Sequence, residues 1–308
     1  MRALVTGATG FIGRALVAQL KKPVVLTRDP GRAKALLGDV EAHAWADPAH
    51  EPPPAAALAG IDAVFHLAGD NVAQGRWSDA KKERIRSSRV GPTEKLVAAL
   101  VALEAKPKVL VSASAVGFYG SRDDELLTET SSQGEDFLGG VCGEWEKATG
   151  PAGRKGIRTV NARIGVVMGK GGGAYAKMLL PFKLGLGGRL GSGEQWTSWV
   201  HLADVVGLLL HAAKTESLSG PLNVVAPTPV TNDELARAMG RSLRRPALLP
   251  APALALRVAM GEMADGLLLA SQRASAAKAI SSGYAFRYPT IDAALAELAG
   301  SGSTSSAA

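Results

Sequence analysis

The sequence predicts an α/β fold in which a doubly wound parallel sheet is followed by a smaller, mostly helical lobe. Through the first half of the chain, short apolar runs typical of buried strands alternate with helical stretches. This alternation is typical of a parallel sheet that helices cover on both faces. A glycine triplet, Gly7, Gly10 and Gly13, directly follows the first apolar run and opens the first helical stretch. After Arg163 the alternation ends and the chain becomes rich in glycine, which predicts a second lobe.

The predicted sheet domain spans residues 1–165. Its strands are expected at 2–6, 23–27, 40–44, 63–67, 109–113 and 158–164, each a short apolar run. Its helices are expected between those runs, at 11–20, 32–37, 78–103 and 135–153. The proline-rich stretch 51–54 predicts a surface loop.

The predicted second lobe is interrupted by a return to the sheet domain. Residues 165–199 are expected to be a loop-like crossing, because glycines recur there, as in LGLGGRLGSGEQW at 184–196. A predicted helix at 201–213 and strand at 222–225 bring residues 200–226 back to the sheet. A substrate lobe is then expected from residues 166–199 and 227–298, and the polar tail 299–308 is expected to be disordered.

Composition excludes several classes of protein. The 308 residues carry a net charge of +7, but the basic side chains are scattered and no nucleic-acid motif accompanies them. The charge therefore favours an anionic small-molecule ligand over nucleic acid. One cysteine excludes an internal disulfide, and the five histidines lack metal-ligand spacing, so no metal site is predicted. Without a signal-peptide pattern or an apolar run of about 18 residues, we expect a cytoplasmic protein with no membrane contact.

The glycine triplet predicts a dinucleotide site in GATGFIG at 7–13. Gly7 permits a tight turn, Gly10 lets a phosphate approach the backbone, and Gly13 lets the helix pack close to the sheet. The helix N-terminus then presents free N–H groups to the pyrophosphate, with Thr9, Phe11 and Ile12 beside it. A strand–turn–helix of this kind is typical of a Rossmann domain.

The end of the second predicted strand indicates which dinucleotide binds. An arginine about 20 residues after the first glycine accommodates the 2′-phosphate of NADP, whereas an acid there bonds the ribose hydroxyl of NAD. Thr27 and Arg28 end the strand, and Arg32 follows closely. Asp29 leaves NAD open as the alternative. The sequence favours NADP, as NADP⁺ or NADPH.

Several segments together resemble the extended branch of the short-chain dehydrogenase/reductase superfamily. TGATGFIG and HLAG at 66–69 resemble that branch, whose members are Rossmann-fold epimerases, dehydratases and reductases. A more specific similarity, to an atypical NAD(P)-dependent, nucleoside-diphosphate-sugar-epimerase-like subgroup, extends to about residue 298. It lies in SASAVGFYG at 112–120, CGEWE at 142–146, GRLGSGEQWTSWVHLADVV at 188–206, NVVAPTPVTNDELA at 223–236 and GEMADGLLLASQR at 261–273. The resemblance implies a cleft between two lobes and cofactor contacts from Leu67, Ala68 and Gly69.

The resemblance also locates a catalytic position, where this chain departs from the usual residues. Members of the superfamily use a serine with Tyr-x-x-x-Lys, in which the lysine lowers the pKa of the tyrosine that moves the substrate proton. The serine is expected at Ser114, with Ser112 as the alternative, but Cys142 and Glu146 stand where tyrosine and lysine belong. Cys142 is either catalytic or a small core residue. Tyr119 either moves a proton or serves structural packing or substrate contact. Glu144 and Glu146 are either general bases or solvent-facing residues of the helix.

Substrate contacts are expected from the segment after the sheet domain. Trp196, Trp199 and His201 form either a substrate platform or an anchor between lobe and sheet. Lys177 either contacts an anionic substrate or is solvated. Two functions remain open: an NADP(H)-dependent oxidoreductase or epimerase-like enzyme acting on a small hydroxyl or carbonyl compound, and an NADP(H) sensor without catalysis.

Overall fold

A parallel sheet forms the centre of the computed structural model, which describes residues 1–300. The strands are β1 (Ala3–Thr6), β2 (Val24–Thr27), β3 (Glu41–Ala44), β4 (Ala63–His66), β5 (Val109–Ala115), β6 (Leu126–Leu127), β7 (Arg158–Ile164), β8 (Val166–Gly169), β9 (Trp196–Thr197), β10 (Trp199–His201), β11 (Gly220–Val224), β12 (Val230–Thr231) and β13 (Arg273–Ala274). Seven of them form the main sheet in the order β11-β7-β5-β4-β1-β2-β3, and every pair is parallel. The order reverses between β1 and β4, which opens a ligand crevice at their carboxyl ends.

Helices cover both faces of this sheet and make up most of the C-terminal region. They are α1 (Phe11–Val17), α2 (Pro30–Leu37), α3 (Asp79–Ala102), α4 (Phe137–Arg154), α5 (Gly173–Lys183), α6 (Leu202–Lys214), α7 (Asn232–Leu243), α8 (Ala253–Met260), α9 (Glu262–Ala264), α10 (Ala277–Ser281) and α11 (Ile291–Leu298). Short helical turns occur at Ala55–Leu58, Val116–Tyr119 and Asp265–Leu269. Side chains cap several starts: Asp136 Oδ1 accepts the Gly139 N–H at 2.7 Å, and Thr231 and Glu234 form a capping box on α7.

The core lies on both faces of the central strands. Val5 and Phe65 belong to the cluster that packs under α1 and α6, whereas Leu4 and Val64 belong to the cluster that packs under α3. These four side chains are wholly buried, which explains why the strands read as continuous apolar runs and not as alternating ones. The predicted parallel α/β sheet is confirmed.

The predicted loop-like character of residues 165–199 is wrong for its first half. The segment contains β8 and α5, joined by a tight turn in which Gly169 pairs with Gly172. The glycines serve this turn, and α5 then buries Tyr175 and Phe182, seven residues apart on one face, in a separate cluster with α7. Tertiary packing thus stabilises a helix that the glycine content conceals.

Three further expectations concern the C-terminal tail, membrane-spanning helices and the division into domains. Of the predicted tail 299–308, residues 301–308 lie outside the described residues. Within residues 1–300, no helix is both long and apolar enough to cross a membrane. The division into a sheet domain and a substrate lobe stays a prediction.

Candidate functional site

The glycine turn after β1 is closed so tightly that side chains are excluded. Gly7 has φ +67°, and a Cβ there would lie 2.6 Å from the carbonyl carbon of Leu67. A Cβ on Gly13 would lie 2.2 Å from the carbonyl oxygen of Gly7. Gly10 precedes α1 without a side-chain cap, so the first N–H groups of the helix are available to a ligand. The turn is therefore a cradle that fits a pyrophosphate, next to exposed Thr9.

Phe11 joins this cradle to the turn between β8 and α5. Its ring lies against the β8–α5 turn, where a Cβ on Gly172 would lie 2.4 Å from Phe11 Cδ2 and one on Gly173 would lie 2.9 Å from Cε1. The Phe11 ring is thus packed against this turn, and only the Phe11 backbone is available to contact a cofactor. The neighbouring Ile12 is half-buried and packs on the core cluster under α1.

A buried hydrogen-bond network ties the end of β1 to the end of β4. Thr93 Oγ1 donates to the Arg89 carbonyl at 2.6 Å and so accepts from His66 Nε2 at 2.9 Å. His66 Nδ1 is then the acceptor for Thr6 Oγ1, at 2.7 Å. Thr6 Oγ1 in turn accepts the N–H groups of Leu67 and Ala68, at 3.2 and 3.3 Å. Burial lowers the pKa of His66 to about 4, and the neutral ring holds the crevice edge in place.

The predicted cofactor residues Leu67, Ala68 and Gly69 follow directly at this edge. Leu67 and Ala68 are half-buried, and Gly69 is exposed. A Cβ on Gly69 would lie 3.1 Å from the Arg89 guanidinium, which donates to the Asp70 carbonyl at 2.9 Å. The segment therefore lies beside the glycine turn, with its backbone fixed by buried partners.

The end of β2 presents two unpaired arginines. Arg28 and Arg32 are exposed, and within residues 1–300 neither guanidinium has a hydrogen-bond or ion-pair partner. Asp29 is engaged as the cap of α2, where its Oδ1 accepts the Arg32 N–H at 2.9 Å. Thr27 is half-buried at the strand end. Free guanidiniums and a committed carboxylate suit a phosphate better than a ribose hydroxyl at this place.

The candidate catalytic position is built from β5, α4 and β7. Ser114 Oγ, at the end of β5, donates to Glu146 Oε1 at 2.6 Å. Glu146 lies on α4. Arg163 on β7 donates from Nε to Glu146 Oε1 and from Nη2 to Oε2, both at 2.8 Å. The Arg163 side chain is 3% exposed and that of Glu146 is 12% exposed, so the ion pair is largely desolvated. The pair holds the carboxylate rigidly against the serine.

Sequence reasoning missed Arg163, although a signal for it was present. Arginine is almost never fully buried without a partner, and Arg163 stands near the end of RTVNARI, a segment predicted to be a buried strand. Its Nη1 donates to the Tyr119 hydroxyl at 3.0 Å and to the Glu129 carbonyl at 3.2 Å. A charged residue in a buried strand predicts an acidic counterpart nearby, here Glu146.

Tyr119 and Cys142 lie beside Arg163, Glu146 and Ser114, but neither is suited to proton transfer. The Tyr119 hydroxyl donates to Asn223 Oδ1 at 2.7 Å, its side chain is wholly buried, and burial raises its pKa. Burial, with the nearby Glu146 charge, raises the pKa of the Cys142 thiol to about 12. A thiol of such high pKa is almost wholly protonated near neutrality. These placements favour the alternatives of structural packing for Tyr119 and a core residue for Cys142.

The predicted substrate residues fall into two groups. Trp199 and His201 lie in the interior, which favours the alternative of an anchor over a substrate platform: Trp199 is 0% exposed with Nε1 donating to the Thr228 carbonyl, and His201 caps α6. Burial lowers the pKa of His201. Trp196 is half-buried beneath the Arg273 guanidinium, 4.4 Å from its ring centre. Lys177 is exposed and donates to the Ala73 carbonyl at 2.7 Å, which links α5 to the loop after β4.

No cluster of three or more metal-ligating side chains occurs within residues 1–300. The site offers a serine hydroxyl, a carboxylate held by an arginine, and a phosphate cradle two strands away. The serine, the arginine and the cradle lie towards the carboxyl ends of the parallel strands β5, β7 and β1, where doubly wound sheets bind their ligands.

Comparison with known proteins gives consistent matches along the chain. Residues 3–225 match the model of the NAD dependent epimerase/dehydratase family, and residues 251–298 match a domain of unknown function, DUF1731. An epimerase family protein of Mycobacterium bovis is 44% identical over 296 residues, covering 94% of this chain and 95% of that protein. Epimerase family protein YfhF of Bacillus subtilis is 36% identical over 303 residues, covering 97% and 98%. The crystal structure of human epimerase family protein SDR39U1 with NADPH matches with a TM-score of 0.88 and 34% identity, covering 97% and 99%.

Proposed function

The chain belongs to the NAD dependent epimerase/dehydratase family, and from that premise we propose that it is an NADP(H)-dependent oxidoreductase or epimerase-like enzyme. Its substrate is a small compound with a hydroxyl or carbonyl group at the reacting carbon. The observation that carries the proposal is the hydrogen bond from Ser114 to Glu146, 2.6 Å long, at the carboxyl end of β5. It supplies a route for a proton where the usual tyrosine is replaced.

The choice of NADP over NAD has two supports. Arg28 and Arg32 are exposed at the end of β2 with no partner within residues 1–300, and Asp29 is engaged as a helix cap. A relative of 34% identity that matches nearly the whole chain was crystallised with NADPH. Glutamine in place of Arg28 and Arg32 is expected to weaken NADPH binding by about tenfold or more and NADH binding little, because hydrogen bonds to charged groups contribute about 1.5–3 kcal/mol.

Ser114 is the group that touches the substrate oxygen. Its own proton points at Glu146, and its buried Oγ also lies beside the Cys142 thiol, which leaves one lone pair to accept a hydrogen bond from a substrate hydroxyl. When that hydroxyl is oxidised, its proton moves to Ser114 Oγ while the serine proton moves to a Glu146 oxygen. The reverse transfers protonate a carbonyl oxygen during reduction. A nicotinamide bound in the crevice would supply or take up the hydride that balances this proton.

Arg163 is a positioning residue in this scheme. Its two hydrogen bonds fix the plane of the Glu146 carboxylate, so that Oε1 stays 2.6 Å from Ser114 Oγ. A proton acceptor must be held within hydrogen-bonding reach for transfer to be efficient. Lysine at position 163 cannot make the same forked contact, because its ammonium is a point donor.

The experiment measures NADPH binding and NADPH oxidation with a library of small carbonyl compounds. Ser114→Ala and Glu146→Gln are each expected to lower kcat by about 100-fold with unchanged NADPH affinity. Ser112→Ala is the matched comparison, since Ser112 Oγ is buried and donates to the Ala113 carbonyl. The assigned roles would be refuted if the enzyme were active and both Ser114→Ala and Glu146→Gln kept the kcat of the wild type.

A second candidate function is an NADP(H) sensor without catalysis. It is favoured by one observation, that Cys142 at the usual tyrosine position is buried with its pKa raised to about 12. Tight NADPH binding with no turnover of any carbonyl or hydroxyl compound supports the sensor and contradicts the enzyme. A cytoplasmic location and the absence of a nucleic-acid partner belong to the same proposal; fractionation of cells and a gel-shift experiment across salt concentrations test them.

A further inference from the structure

More than half of the exposed large hydrophobic side chains of residues 1–300 belong to two segments that lie beside one another. These segments carry six of the eleven, and the other five are Met1, Leu36, Leu126, Leu180 and Ile280. We call the six the apolar face: Leu184, Leu186, Leu248, Leu249, Leu254 and Val258. Single exposed hydrophobic residues are ordinary, whereas a group of this kind marks an interaction surface.

Backbone hydrogen bonds hold the two segments of the apolar face together. The Leu249 N–H donates to the Gly187 carbonyl at 3.3 Å, and the Ala251 N–H donates to the Arg189 carbonyl at 2.9 Å. A Cβ on Gly188 would lie 2.1 Å from the carbonyl oxygen of Leu249. The leucines on either side of this contact are therefore held beside one another by the fold.

Helix α8 completes the apolar face, and nothing within residues 1–300 buries the side of it that carries Leu254 and Val258. Seven of its eight residues are apolar, yet none of the eight is buried. Leu254 is 72% exposed and Val258 is 69% exposed, four residues apart on the same side of the helix. An apolar helix normally lies in a protein interior, so its exposed side points to an occupant outside the described residues.

A basic cavity of about 650 Å³ adjoins the apolar face and shares Leu248 with it. Its other walls carry a cluster of five arginines: Arg189, Arg237, Arg241, Arg244 and Arg245. Two of them are paired at 2.7 Å, Arg237 with Asp233 and Arg241 with Asp292. Arg189, Arg244 and Arg245 have no ion-pair or side-chain hydrogen-bond partner within residues 1–300. Three uncompensated guanidiniums beside exposed leucines require an anionic and apolar partner.

We propose that the apolar face and the arginine cavity form a docking site for an acidic amphipathic helix of a partner protein. Leucine-type side chains of that helix cover Leu254 and Val258, and its flanking carboxylates enter the cavity beside Arg244 and Arg245. A free inorganic anion would satisfy the arginines but leave the apolar face exposed. A second copy of this chain would bring the same unpaired arginines together across a two-fold interface, and each copy carries a net charge of +7. A flat bilayer surface cannot fill a concave cavity of this size, whereas side chains can.

The test uses the full chain and fluorescence anisotropy of a labelled helical peptide with leucines on one face and glutamates beside them. A peptide with lysines in place of the glutamates is the matched probe. The glutamate peptide is expected to bind at least tenfold more tightly than the lysine peptide, with an affinity that falls as salt rises. Leu254→Ser with Val258→Ser, and Arg244→Gln with Arg245→Gln, are each expected to weaken binding about tenfold.

Control variants are chosen at exposed sites elsewhere, Ile280→Ser and Arg154→Gln, which are expected to leave peptide binding unchanged. Equal binding of the two peptides, or no loss in the paired variants, would overturn the proposal. So would binding to anionic phospholipid vesicles that the peptide does not displace. Sedimentation showing a dimer that Leu254→Ser dissociates would assign the surface to a second copy and equally overturn it.

Discussion

Replacing the buried His66 with glutamine should remove a large part of the acid sensitivity of this protein. The ring accepts a hydrogen bond from Thr6 at Nδ1 and donates to Thr93 at Nε2, so both nitrogens are committed in the neutral form. If Nδ1 were protonated, its N–H would face the Thr6 hydroxyl, which now donates to it. Thr6 Oγ1 already accepts two backbone N–H groups and so is a poor acceptor for a third. Burial accordingly lowers the pKa of His66 from 6.5 to about 4.

The size and sign of the effect follow from this shift. Between pH 6.5 and about 4 the unfolded chain binds a proton at His66 and the folded protein does not. Stability therefore rises with pH across that window and is lost as the pH falls, at about 1.4 kcal/mol per unit. The loss between pH 7 and pH 5 is about 2 kcal/mol, because it begins only near 6.5, and it levels off below about pH 4.

The measurement is the free energy of unfolding from urea titrations at pH 7, 6 and 5, for the wild type and for His66→Gln. The variant starts less stable, because glutamine cannot reproduce both hydrogen bonds, but its own loss between pH 7 and 5 should be smaller by about 2 kcal/mol. The other four histidines are common to both proteins and cancel in the difference. Equal losses in the two proteins would show that His66 is not held neutral by the Thr6–Thr93 network.

Three further outcomes test the site. Arg163→Met should lower the free energy of unfolding by about 3–5 kcal/mol in urea titrations, since it leaves the carboxylate of Glu146 buried without its partner; a loss under 1 kcal/mol would contradict this. Gly13→Ala should abolish NADPH binding in a calorimetric titration while the chain stays folded by circular dichroism, because its Cβ would lie 2.2 Å from the Gly7 carbonyl oxygen. The Cys142 thiol, with its pKa raised to about 12 by burial, should react with a chromogenic disulfide only after unfolding, and rapid reaction of the native protein would show that it is accessible.

The sheet could be predicted from the sequence because its signals are local. Each central strand is a short apolar run, and the glycine turn carries its geometry in the three residues that lack side chains. Helix α5 could not be predicted, because its stability comes from Tyr175 and Phe182 packing against α7, which is distant in sequence. The interior position of Trp199 depends in the same way on β8 and on a carbonyl at residue 228.

The candidate site was predicted only in its separate parts, and the contact that relates them is non-local. Ser114 and Glu146 were each candidates, but their hydrogen bond joins residues 32 apart in the chain. The counter-charge comes from Arg163, on a third element, whose remaining donor is taken up by Tyr119 and the Glu129 carbonyl. Neither the periodicity nor the spacing of residues in the sequence indicates that side chains on three different elements are in contact. Only the rule that buried charges are paired indicates that an acid must lie near Arg163.

This arrangement explains why the usual pair cannot be restored by changing two residues. Lysine at position 146 would place a second cation where Arg163 now holds a carboxylate at 2.8 Å, in a setting where Arg163 is 3% exposed. Tyrosine at position 142 would enter a space that a buried thiol fills. Glu146, Arg163 and Ser114 therefore act as one unit, because each group satisfies the hydrogen bonds or the charge of the next. A return to tyrosine and lysine therefore needs a neutral residue at position 163 as well. The Glu146 carboxylate and the buried Arg163 guanidinium each require the other as a partner.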